Sequence, residues 1–292
     1  MGTRTIMRTT TPPATAPADM ATELPGQRDW VQRDPTARRM ERIEAYFGGH
    51  GYDMHRHDTY AIGRTLAGVQ SFSYRRGMTH STPGGTIVLH PDEPHDGHAG
   101  TEAGFHYRML YIEPSLVQRV LGGRPLPFVA SGRSDDARLF AASGVLLDAF
   151  DQPLDPLEED DAIFDLAHAL AAAAGRPRGR QTVDYCAAEV ARTCLLDNLD
   201  RPVTLEDLEQ ASGRDRWSLS RDFRALYGTS PHRYLVMRRL DMVRRLAAAG
   251  ESLADAAVWA GFADQSHMTR HFTRAFGHSP GRWLRTLSGK AG

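Results

Sequence analysis

The sequence has only two cysteines among its 292 residues, and it contains no long run of apolar residues. Cys186 and Cys194 lie two turns apart on one predicted helix, which is too far for a disulfide bond between them. We therefore expect two buried, reduced thiols. A helix needs about 18 or more consecutive apolar residues to cross a membrane, so the sequence predicts no membrane span.

The first residues also lack the apolar segment that marks a secretory signal. Residues 1–27 are rich in threonine, proline and alanine, a composition that predicts a disordered tail. With no signal, no membrane span and reduced thiols, we expect a cytoplasmic protein that does not contact a membrane.

An excess of charge of one sign is missing as well, because 35 basic and 36 acidic residues give a formal net charge of -1. The total therefore says nothing about nucleic acid, but the distribution is uneven. Residues 182–292 hold 16 basic and 13 acidic side chains, and residues 216–245 hold eight arginines. This concentration predicts a surface that follows DNA phosphates, the alternative being a solvated helix face.

What the sequence does contain is a helix-turn-helix pattern over residues 252–276. Ser252 has the position of a helix cap, and Gly261 ends that helix. Asp264 then caps a second helix, Gln265–Phe276. Helix, tight turn and helix form the motif whose second helix enters the major groove of DNA.

The same pattern occurs 48 or 49 residues upstream, over residues 204–227. Thr204 caps its first helix, Ser212-Gly213 forms the turn, and Asp215–Tyr227 is its second helix. A helix over Pro231–Ala249 joins the two copies. Two equal motifs on one connecting helix suit two successive major grooves.

The outward faces of the two second helices carry side chains that read or hold DNA. Arginine offers paired donors to guanine, glutamine pairs with adenine, and serine hydroxyls suit phosphates. Arg224 and Arg274 are expected to contact phosphates only, and a half-buried packing role is the alternative for Trp217. The predicted DNA-binding residues are Trp217, Ser220, Arg221, Arg224, Gln265, Ser266, His267, Arg270 and Arg274.

These residues resemble the DNA-binding domain of the AraC/XylS family of bacterial transcription regulators, over about the last third of the chain. The matching positions are Ala257, Gly261, Phe262, Ser266, Arg270, Phe272, Phe276, Gly277, Pro280 and Trp283. The resemblance implies that the chain is not an enzyme but a regulator that binds promoter DNA and a small-molecule effector. A homodimer and a contact with RNA polymerase are compatible with it.

The first half of the chain reads as short strands separated by glycine and proline. Such spacing predicts a small antiparallel barrel or sandwich, within a domain over residues 28–132. The five strands predicted with it are Ile43–Phe47, Tyr60–Leu66, Val69–Tyr74, Thr86–Leu89 and Phe105–Ile112.

Histidines stand at two places in this domain. The His55-Arg56-His57 segment and His95 resemble the motif pair of cupins, and residues 40–115 resemble the arabinose-binding-type sensor domain of the same regulators. Three imidazoles suit a divalent metal, but enzymatic cupins have a glutamate where this chain has Tyr60-Ala61-Ile62. Whether Glu93, His90 or His98 substitutes for it is left open by the spacing.

The missing carboxylate favours histidines that are structural or that hydrogen-bond an organic effector, so we expect no metal and no cofactor. Strand alternation predicts that Arg64, Tyr74 and Tyr107 also point inward. The candidate effector-binding residues are His55, His57, Arg64, Tyr74, His95 and Tyr107.

The segments between the two halves are predicted to be helical. Asp135–Phe150 and Leu157–Ala174, within residues 133–174, have apolar side chains at helical spacing, which favours either solvated connecting helices or a dimer interface. Residues 175–181 form a linker of glycine, proline and arginine. The DNA-binding domain, residues 182–292, then begins with a helix over Val183–Asn198.

We therefore predict an α+β protein: a cupin-like β-barrel, connecting helices and an all-α domain with two helix-turn-helix motifs. Its predicted function is sequence-specific regulation of transcription under the control of an effector in the barrel. The alternatives are a metal-dependent cupin enzyme fused to a DNA-binding module, and an architectural DNA-binding protein with an empty barrel.

Overall fold

The structure, a computed structural model, describes residues 28–36, 39–148, 150, 153–175 and 182–288. The predicted tail over residues 1–27 and nearly all of the predicted linker lie outside these ranges. No helix within them has the length and apolar character to cross a membrane.

The N-terminal part consists of two antiparallel sheets. One has the strand order β1-β2-β9-β4-β7-β10 and the other β3-β8-β5-β6. The strands are β1 Trp30–Arg33, β2 Glu41–Phe47, β3 His50–His55, β4 Tyr60–Gly68, β5 Gln70–Tyr74, β6 Gly77–Ser81, β7 Thr86–Leu89, β8 His95–Ala99, β9 Phe105–Ile112 and β10 Arg133–Ser134. The five predicted strands are present, and β7 and β9 have the predicted bounds.

Strands β3, β6 and β8 were not predicted, because their sequences do not alternate between apolar and polar residues. Strands β1 and β10 were not predicted either, since they are only four and two residues long. These strands form through pairing with neighbours, for example β1 with β2 and β3 with β8. Pairing of this kind leaves little signal in the strand's own sequence.

The larger sheet is buried on both faces. Its inner face, with Ala61 and Met109, packs against Phe72 of the smaller sheet. Its outer face packs against three helices, α1 Pro114–Leu121, α2 Ala137–Asp148 and α3 Pro156–Ala174. Helices α2 and α3 correspond to the two predicted connecting helices.

The C-terminal part is all helical. Its helices are α4 Tyr185–Leu196, α5 Leu205–Ser212, α6 Arg216–Tyr227, α7 Pro231–Ala248, α8 Leu253–Trp259, α9 Gln265–Phe276 and α10 Pro280–Ser288. The predicted cap residues Thr204, Asp215, Ser252 and Asp264 accept hydrogen bonds from the first turns of their helices. The α+β fold class is thereby confirmed.

Each helix-turn-helix motif has its own apolar core. The first packs Leu219 and Phe223 of α6 against α4, and the second packs Met268 and Phe272 of α9 against α7. Both cysteines are free thiols, but Cys186 is exposed and Cys194 only partly buried, so the expectation of two buried thiols is wrong. Cys186 lies on the outer side of α4, away from the helix face that packs on the core.

Candidate DNA-reading surface and effector cavity

Helix α6 is held so that one face points to solvent. The Asp215 side chain accepts hydrogen bonds from the backbone N–H groups of Trp217 (3.2 Å) and Ser218 (3.0 Å), which fixes where the helix begins. Leu219 and Phe223 are fully buried on the inner side. Trp217 is 78% exposed, so the alternative of a half-buried packing residue is wrong.

The other predicted side chains of α6 lie on the same outer side as Trp217. Arg221 and Arg224 are exposed, and Ser220 is partly buried between them. Arg224 donates to the backbone carbonyl of Ser220 at 3.0 Å, and Arg221 lies 3.2 Å from the Ser218 hydroxyl. Arg221 also forms a long ion pair, at 3.8 Å, with the buried carboxylate of Asp222. Its side chain is still 53% exposed, so it can reach an incoming ligand.

Helix α9 has the same arrangement. Asp264 accepts a hydrogen bond from the backbone N–H of His267, and Met268 and Phe272 are fully buried. The exposed predicted residues are Gln265, Ser266, Arg270 and Arg274.

His267 is the one predicted residue of α9 that is partly covered. Its Nε2 atom lies 3.0 Å from the Nε2 atom of His271, and both rings contact Phe262. Burial, helped by the neighbouring His267, lowers the pKa of His271 to about 4. His271 is therefore neutral at pH 7 and can share a hydrogen bond with His267.

Only some of the arginines between residues 216 and 245 lie on the proposed DNA-binding faces. The interpretation of that region as one phosphate-following surface is therefore wrong. Arg233, Arg238 and Arg244 form ion pairs with acidic residues of the sheet domain and the start of α1. Arg239 donates to two backbone carbonyls, and Arg216 pairs with Glu209. Much of this charge therefore joins the two halves of the protein.

Among these arginines, Arg238 of α7 makes the most deeply buried contact. Its guanidinium lies 2.9 Å from the carboxylate of Asp58 and also pairs with Glu113 and, at 3.1 Å, with Asp241. The side chains of Arg238 and Asp58 are 11% and 3% exposed. Burial raises the pKa of Asp58 to about 6, although Arg238 opposes the shift.

A second set of contacts holds the end of the first motif against the sheet domain. Arg233 pairs with Asp92, and the Thr229 hydroxyl donates to the same carboxylate at 3.1 Å. The backbone N–H of Leu126 donates to the carbonyl of Ala225 at 2.8 Å.

A cavity of about 1000 Å³ lies between the sheet domain and the helical domain. One side consists of residues from β1–β3, the His57 segment and β9, and the other of residues from α4, α7 and the end of the second motif. The apolar side chains that line it include Ile43, Phe47, Tyr107, Tyr111, Phe276 and Trp283. It lies at the mouth of the barrel, where both halves reach it.

Arginines from both halves meet in this cavity. Arg33 of β1 and Arg244 of α7 both pair with Glu41, Arg244 at 3.0 Å. Burial, followed by the charge of Arg244, lowers the pKa of Arg33 to about 10. The guanidinium of Arg244 also lies over the rings of Phe276 and Trp283, at 5.2 and 5.5 Å from their centroids.

The predicted effector residues divide into two groups. His55, His57 and Tyr107 line the cavity, whereas Tyr74 and His95 are buried beside it and do not line it. Arg64 points the other way, so its assignment as an inward residue is wrong. Its guanidinium contacts Ser143 and Asp148 of α2 and lies 3.8 Å from the centroid of the Phe140 ring.

The error at Arg64 comes from the register of β4. Ala61 faces the inner core and Ile62 faces the helices. Arg64 is on the same side of the strand as Ile62. Because both faces of this sheet are buried, apolar character in the sequence does not distinguish inside from outside.

The three predicted histidines come together in the structure. One ring nitrogen from each of His55, His57 and His95 lies within 4.8 Å of the other two. Each Nδ1 atom is hydrogen-bonded to a backbone carbonyl, of Asp53 (2.8 Å), Thr59 (2.9 Å) and Glu93 (2.9 Å) respectively.

The residues considered as substitutes for the missing carboxylate do not join this cluster. Glu93 is turned towards Arg75, at 3.9 Å. The Nε2 atom of His90 accepts from the backbone N–H of Val129 at 2.8 Å. His98 pairs with His50 at the far end of the β3–β8 ladder.

Arg33, Tyr111 and Arg244 line the cavity and were not predicted to do so. Arg33 and Arg244 are 211 positions apart in the chain and meet only when the two halves pack. No local pattern in the sequence marks such a pair.

Comparisons with known proteins agree with this architecture. The family model of the AraC-like ligand binding domain matches residues 39–171, and that of a helix-turn-helix domain matches residues 208–286. YbfI, an uncharacterised HTH-type transcriptional regulator of Bacillus subtilis (strain 168), is 25% identical over 235 residues, which are 77% of this chain and 86% of YbfI.

Two further proteins are similar to this chain, the first over the helical domain and the second over the whole fold. The multiple antibiotic resistance protein MarA of Escherichia coli (strain K12) is 31% identical over 91 residues, which are 31% of this chain and 72% of MarA. The solved structure of unsaturated fatty acid bound wild-type ToxT from Vibrio cholerae strain SCE256 aligns with a TM-score of 0.59 and 14% identity. It covers 89% of this chain and 96% of ToxT, so the two share a fold.

Proposed function

The chain belongs to the AraC/XylS family of transcription regulators, and we propose that its α6 and α9 read two successive major grooves of a promoter in response to an effector. In this proposal Trp217, Arg221, Gln265 and Arg270 contact base edges. Arg224 and Arg274 contact phosphates. The protein acts on DNA in the cytoplasm and is not an enzyme.

The observation that supports this reading is the pair of equivalent exposed helix faces. α6 and α9 have 12 residues each, begin at an aspartate cap, and bury an apolar face against their own motif. Their opposite faces carry exposed arginines at matching positions, Arg221 and Arg270. A helix presented in this way fits the major groove, where arginine can pair with guanine.

The experiment is the selection of genomic fragments by the purified full-length protein at physiological salt. We expect the fragments to share two short sequence elements about 10 base pairs apart, one helical turn. Arg270→Ala should weaken binding to a selected site by about 1–3 kcal/mol and relax the sequence preference at one position.

Arg274→Ala is the matched control, since it removes a phosphate contact from the same helix. It should weaken binding to selected and random DNA about equally. If Arg270→Ala also weakens both equally, Arg270 contacts a phosphate and its assignment to a base is wrong.

We also propose that the effector is an organic anion with an apolar tail. Three acids of the cavity, Asp58, Glu113 and Asp241, pair with Arg238. Arg33 and Arg244 share the carboxylate of Glu41, and Arg244 makes only a longer contact, at 3.8 Å, with Asp241. The apolar lining would take the tail. ToxT, which has the same fold, is bound to an unsaturated fatty acid in its solved structure, and this supports the choice.

The probes are an unsaturated long-chain fatty acid and the corresponding alcohol, compared by calorimetry. The acid should bind more tightly by about 1.5–3 kcal/mol, the range for hydrogen bonds to a charged group. Arg244→Gln should remove most of this difference, and Arg76→Gln, at an exposed arginine that does not line the cavity, should keep it. Equal affinity for acid and alcohol in the wild-type protein would contradict an anionic effector.

A homodimer is proposed as the acting species. Leu157 and Phe164 of α3 are 70% and 53% exposed, which leaves an apolar face without a cover in the single chain. Sedimentation of the wild-type protein and of Phe164→Glu checks this, since the substitution should give monomers. A contact with RNA polymerase is compatible with the same arrangement.

A further inference from the structure

We propose that His55, His57 and His95 form a binding site for one divalent first-row transition metal ion of the zinc type, at the mouth of the barrel. From the sequence we expected no metal, because the glutamate of enzymatic cupins is missing. The site stands independently of the effector proposal, because the metal alone tests it.

The three side chains come from two neighbouring segments of the fold. His55 ends β3, His57 follows it, and His95 begins β8, which pairs with β3 at His55. The ring centroids are 4.4 Å apart for His55 and His95, 4.8 Å for His57 and His95, and 6.0 Å for His55 and His57. Three imidazoles packed this closely can all bind to the same ion.

Hydrogen bonds orient the rings for metal binding. Each Nδ1 atom faces a backbone carbonyl at 2.8–2.9 Å and therefore carries the hydrogen that the carbonyl accepts. The lone pair of each neutral ring is then on Nε2. A backbone carbonyl on the other ring nitrogen is the usual support of a metal-binding histidine, since it fixes the tautomer and the ring orientation.

Among the three histidines, His57 has a buried ring nitrogen without a hydrogen-bond partner in the described part of the chain. Its side chain is buried, yet its Nε2 atom has no hydrogen-bond partner among the residues that the structure describes. A buried acceptor without a partner destabilises the fold, because it has lost its hydrogen bond to water. Tyr111 contacts the ring edge-on at 5.2 Å between centroids and does not satisfy the nitrogen.

Charged groups of both signs lie near the cluster, with Asp53 and Asp96 among the acids and Arg233 among the bases. Asp53 pairs with His50, and Asp96 accepts hydrogen bonds from Ser73. Among the described residues, the ligands that this arrangement brings together are therefore the three imidazoles alone.

Three imidazoles without a carboxylate select the kind of ion. Neutral nitrogen ligands suit Zn²⁺, Co²⁺, Ni²⁺ and Cu²⁺, whereas Mg²⁺ and Ca²⁺ require oxygen. Zinc–nitrogen bonds of about 2.0–2.1 Å in a tetrahedral site place the ligand nitrogens about 3.3 Å apart, so the rings need to close from 4.8 Å by small side-chain rotations. Water would fill the fourth position.

The experiment uses the full-length protein, stripped of metal with a chelator and then titrated with Zn²⁺ against a chromophoric competitor. We expect one equivalent to bind, and Co²⁺ in its place to give the visible absorption of a four-coordinate ion. His57→Gln and His95→Gln should each lower the zinc affinity at least 100-fold. Zinc should raise the melting temperature of the wild-type protein and leave that of both variants unchanged.

The matched control is the double variant His267→Gln/His271→Gln, which removes a close histidine pair of α9. It should bind zinc as the wild type does. The proposal is wrong if the wild-type protein binds no zinc, if His57→Gln and His95→Gln keep its affinity, or if only the control loses it.

A further measurement covers the case in which a histidine variant fails to fold. In the wild-type protein, Co²⁺ shifts the NMR signals of the imidazole rings that coordinate it, which counts the ligands directly. Three shifted rings, each with an exchangeable Nδ1 proton, support the site. Fewer than three contradict it.

Discussion

The two helix-turn-helix motifs have nearly the same local structure but different surroundings. In both, a twelve-residue second helix ends at a glycine in the left-handed conformation, Gly228 at φ 73° and Gly277 at φ 70°. A serine then caps the next helix, whose first residue is Pro231 or Pro280. These shared features are local, since each is determined by a few neighbouring residues.

The difference lies in what each motif touches. The end of the first motif packs on the loop at Pro91 and on Leu126, and no residue of 204–227 lines the cavity. The end of the second lines the cavity from Ala275 to His278 and contacts β3. An effector in the cavity would therefore touch the second motif directly and reach the first only through the helices that pack on it, α4 and α7.

This asymmetry suggests how one ligand acts on two equal motifs. Arg244 of α7 contacts Glu41 in the sheet domain and the rings of Phe276 and Trp283 in the second motif. A ligand that competes for Arg244 changes the contacts of the second motif while Arg233 still holds the first. Under the proposed function, such a ligand would change the spacing of α6 and α9.

The largest expected effect comes from breaking the contact that fixes α7 to the sheet domain. Arg238→Met leaves the buried carboxylate of Asp58 without its partner, and removing one member of a buried ion pair costs about 3–5 kcal/mol. Urea unfolding followed by circular dichroism measures the loss. Arg245→Met, on the exposed side of the same helix, should change stability by less than about 0.5 kcal/mol.

Adding Asp58→Asn to Arg238→Met removes the orphaned charge and should restore part of the stability. If the single variant Arg238→Met is as stable as the wild type, this ion pair does not hold the two halves together, and both motifs are free to move as one unit.

The DNA-binding half could be predicted closely because its signals are local. Asp264 and Gly277 fix the ends of α9 by themselves, and the predicted bounds Gln265–Phe276 are those of the structure. The orientation of Trp217 and Arg270 follows from the helical period once the buried positions are known. None of these inferences needs knowledge of the rest of the chain.

The sensor half could be predicted only in outline. Its strands β7 and β9 alternate or are wholly apolar and were found, whereas β3 and β8 carry the histidines and were missed. Arg64 was placed on the wrong face because α2 covers the outside of the sheet. The pairing of Arg33 with Arg244 across Glu41 depends on the packing of two domains, which no local pattern encodes.

A smaller effect would sharpen the comparison between the motif ends. Gly228→Ala and Gly277→Ala each place a side chain in the left-handed conformation, at about 1–2 kcal/mol. At Gly228 the added Cβ atom would also lie 2.5 Å from the Cβ atom of Pro91, which adds about 1–3 kcal/mol for overpacking. At Gly277 the nearest atom is the Asp53 carbonyl oxygen at 3.3 Å.

Unfolding measurements on the two variants should therefore give a larger loss for Gly228→Ala. Equal losses would mean that the loop at Pro91 moves away at little cost and that the first motif is no more firmly held than the second.

A last effect concerns the pH dependence of the contact between α7 and the sheet domain. Burial raises the pKa of Asp58 from 3.8 to about 6, with Arg238 favouring and Glu113 and Asp241 opposing its ionised form. Between those two values the folded protein binds more protons at Asp58 than the unfolded chain does. The contribution of Asp58 to stability is therefore complete below about pH 4 and is lost as the pH rises through 6.

Unfolding of the wild type and of Asp58→Asn from pH 4 to 7 isolates this contribution as the difference between the two curves. The wild type should lose stability relative to the variant as the pH rises, because asparagine does not titrate. A flat difference would show that Arg238 keeps Asp58 ionised throughout. The ion pair would then hold α7, and with it the first motif, equally firmly over the whole range, so that only the cavity beside the second motif could respond to conditions.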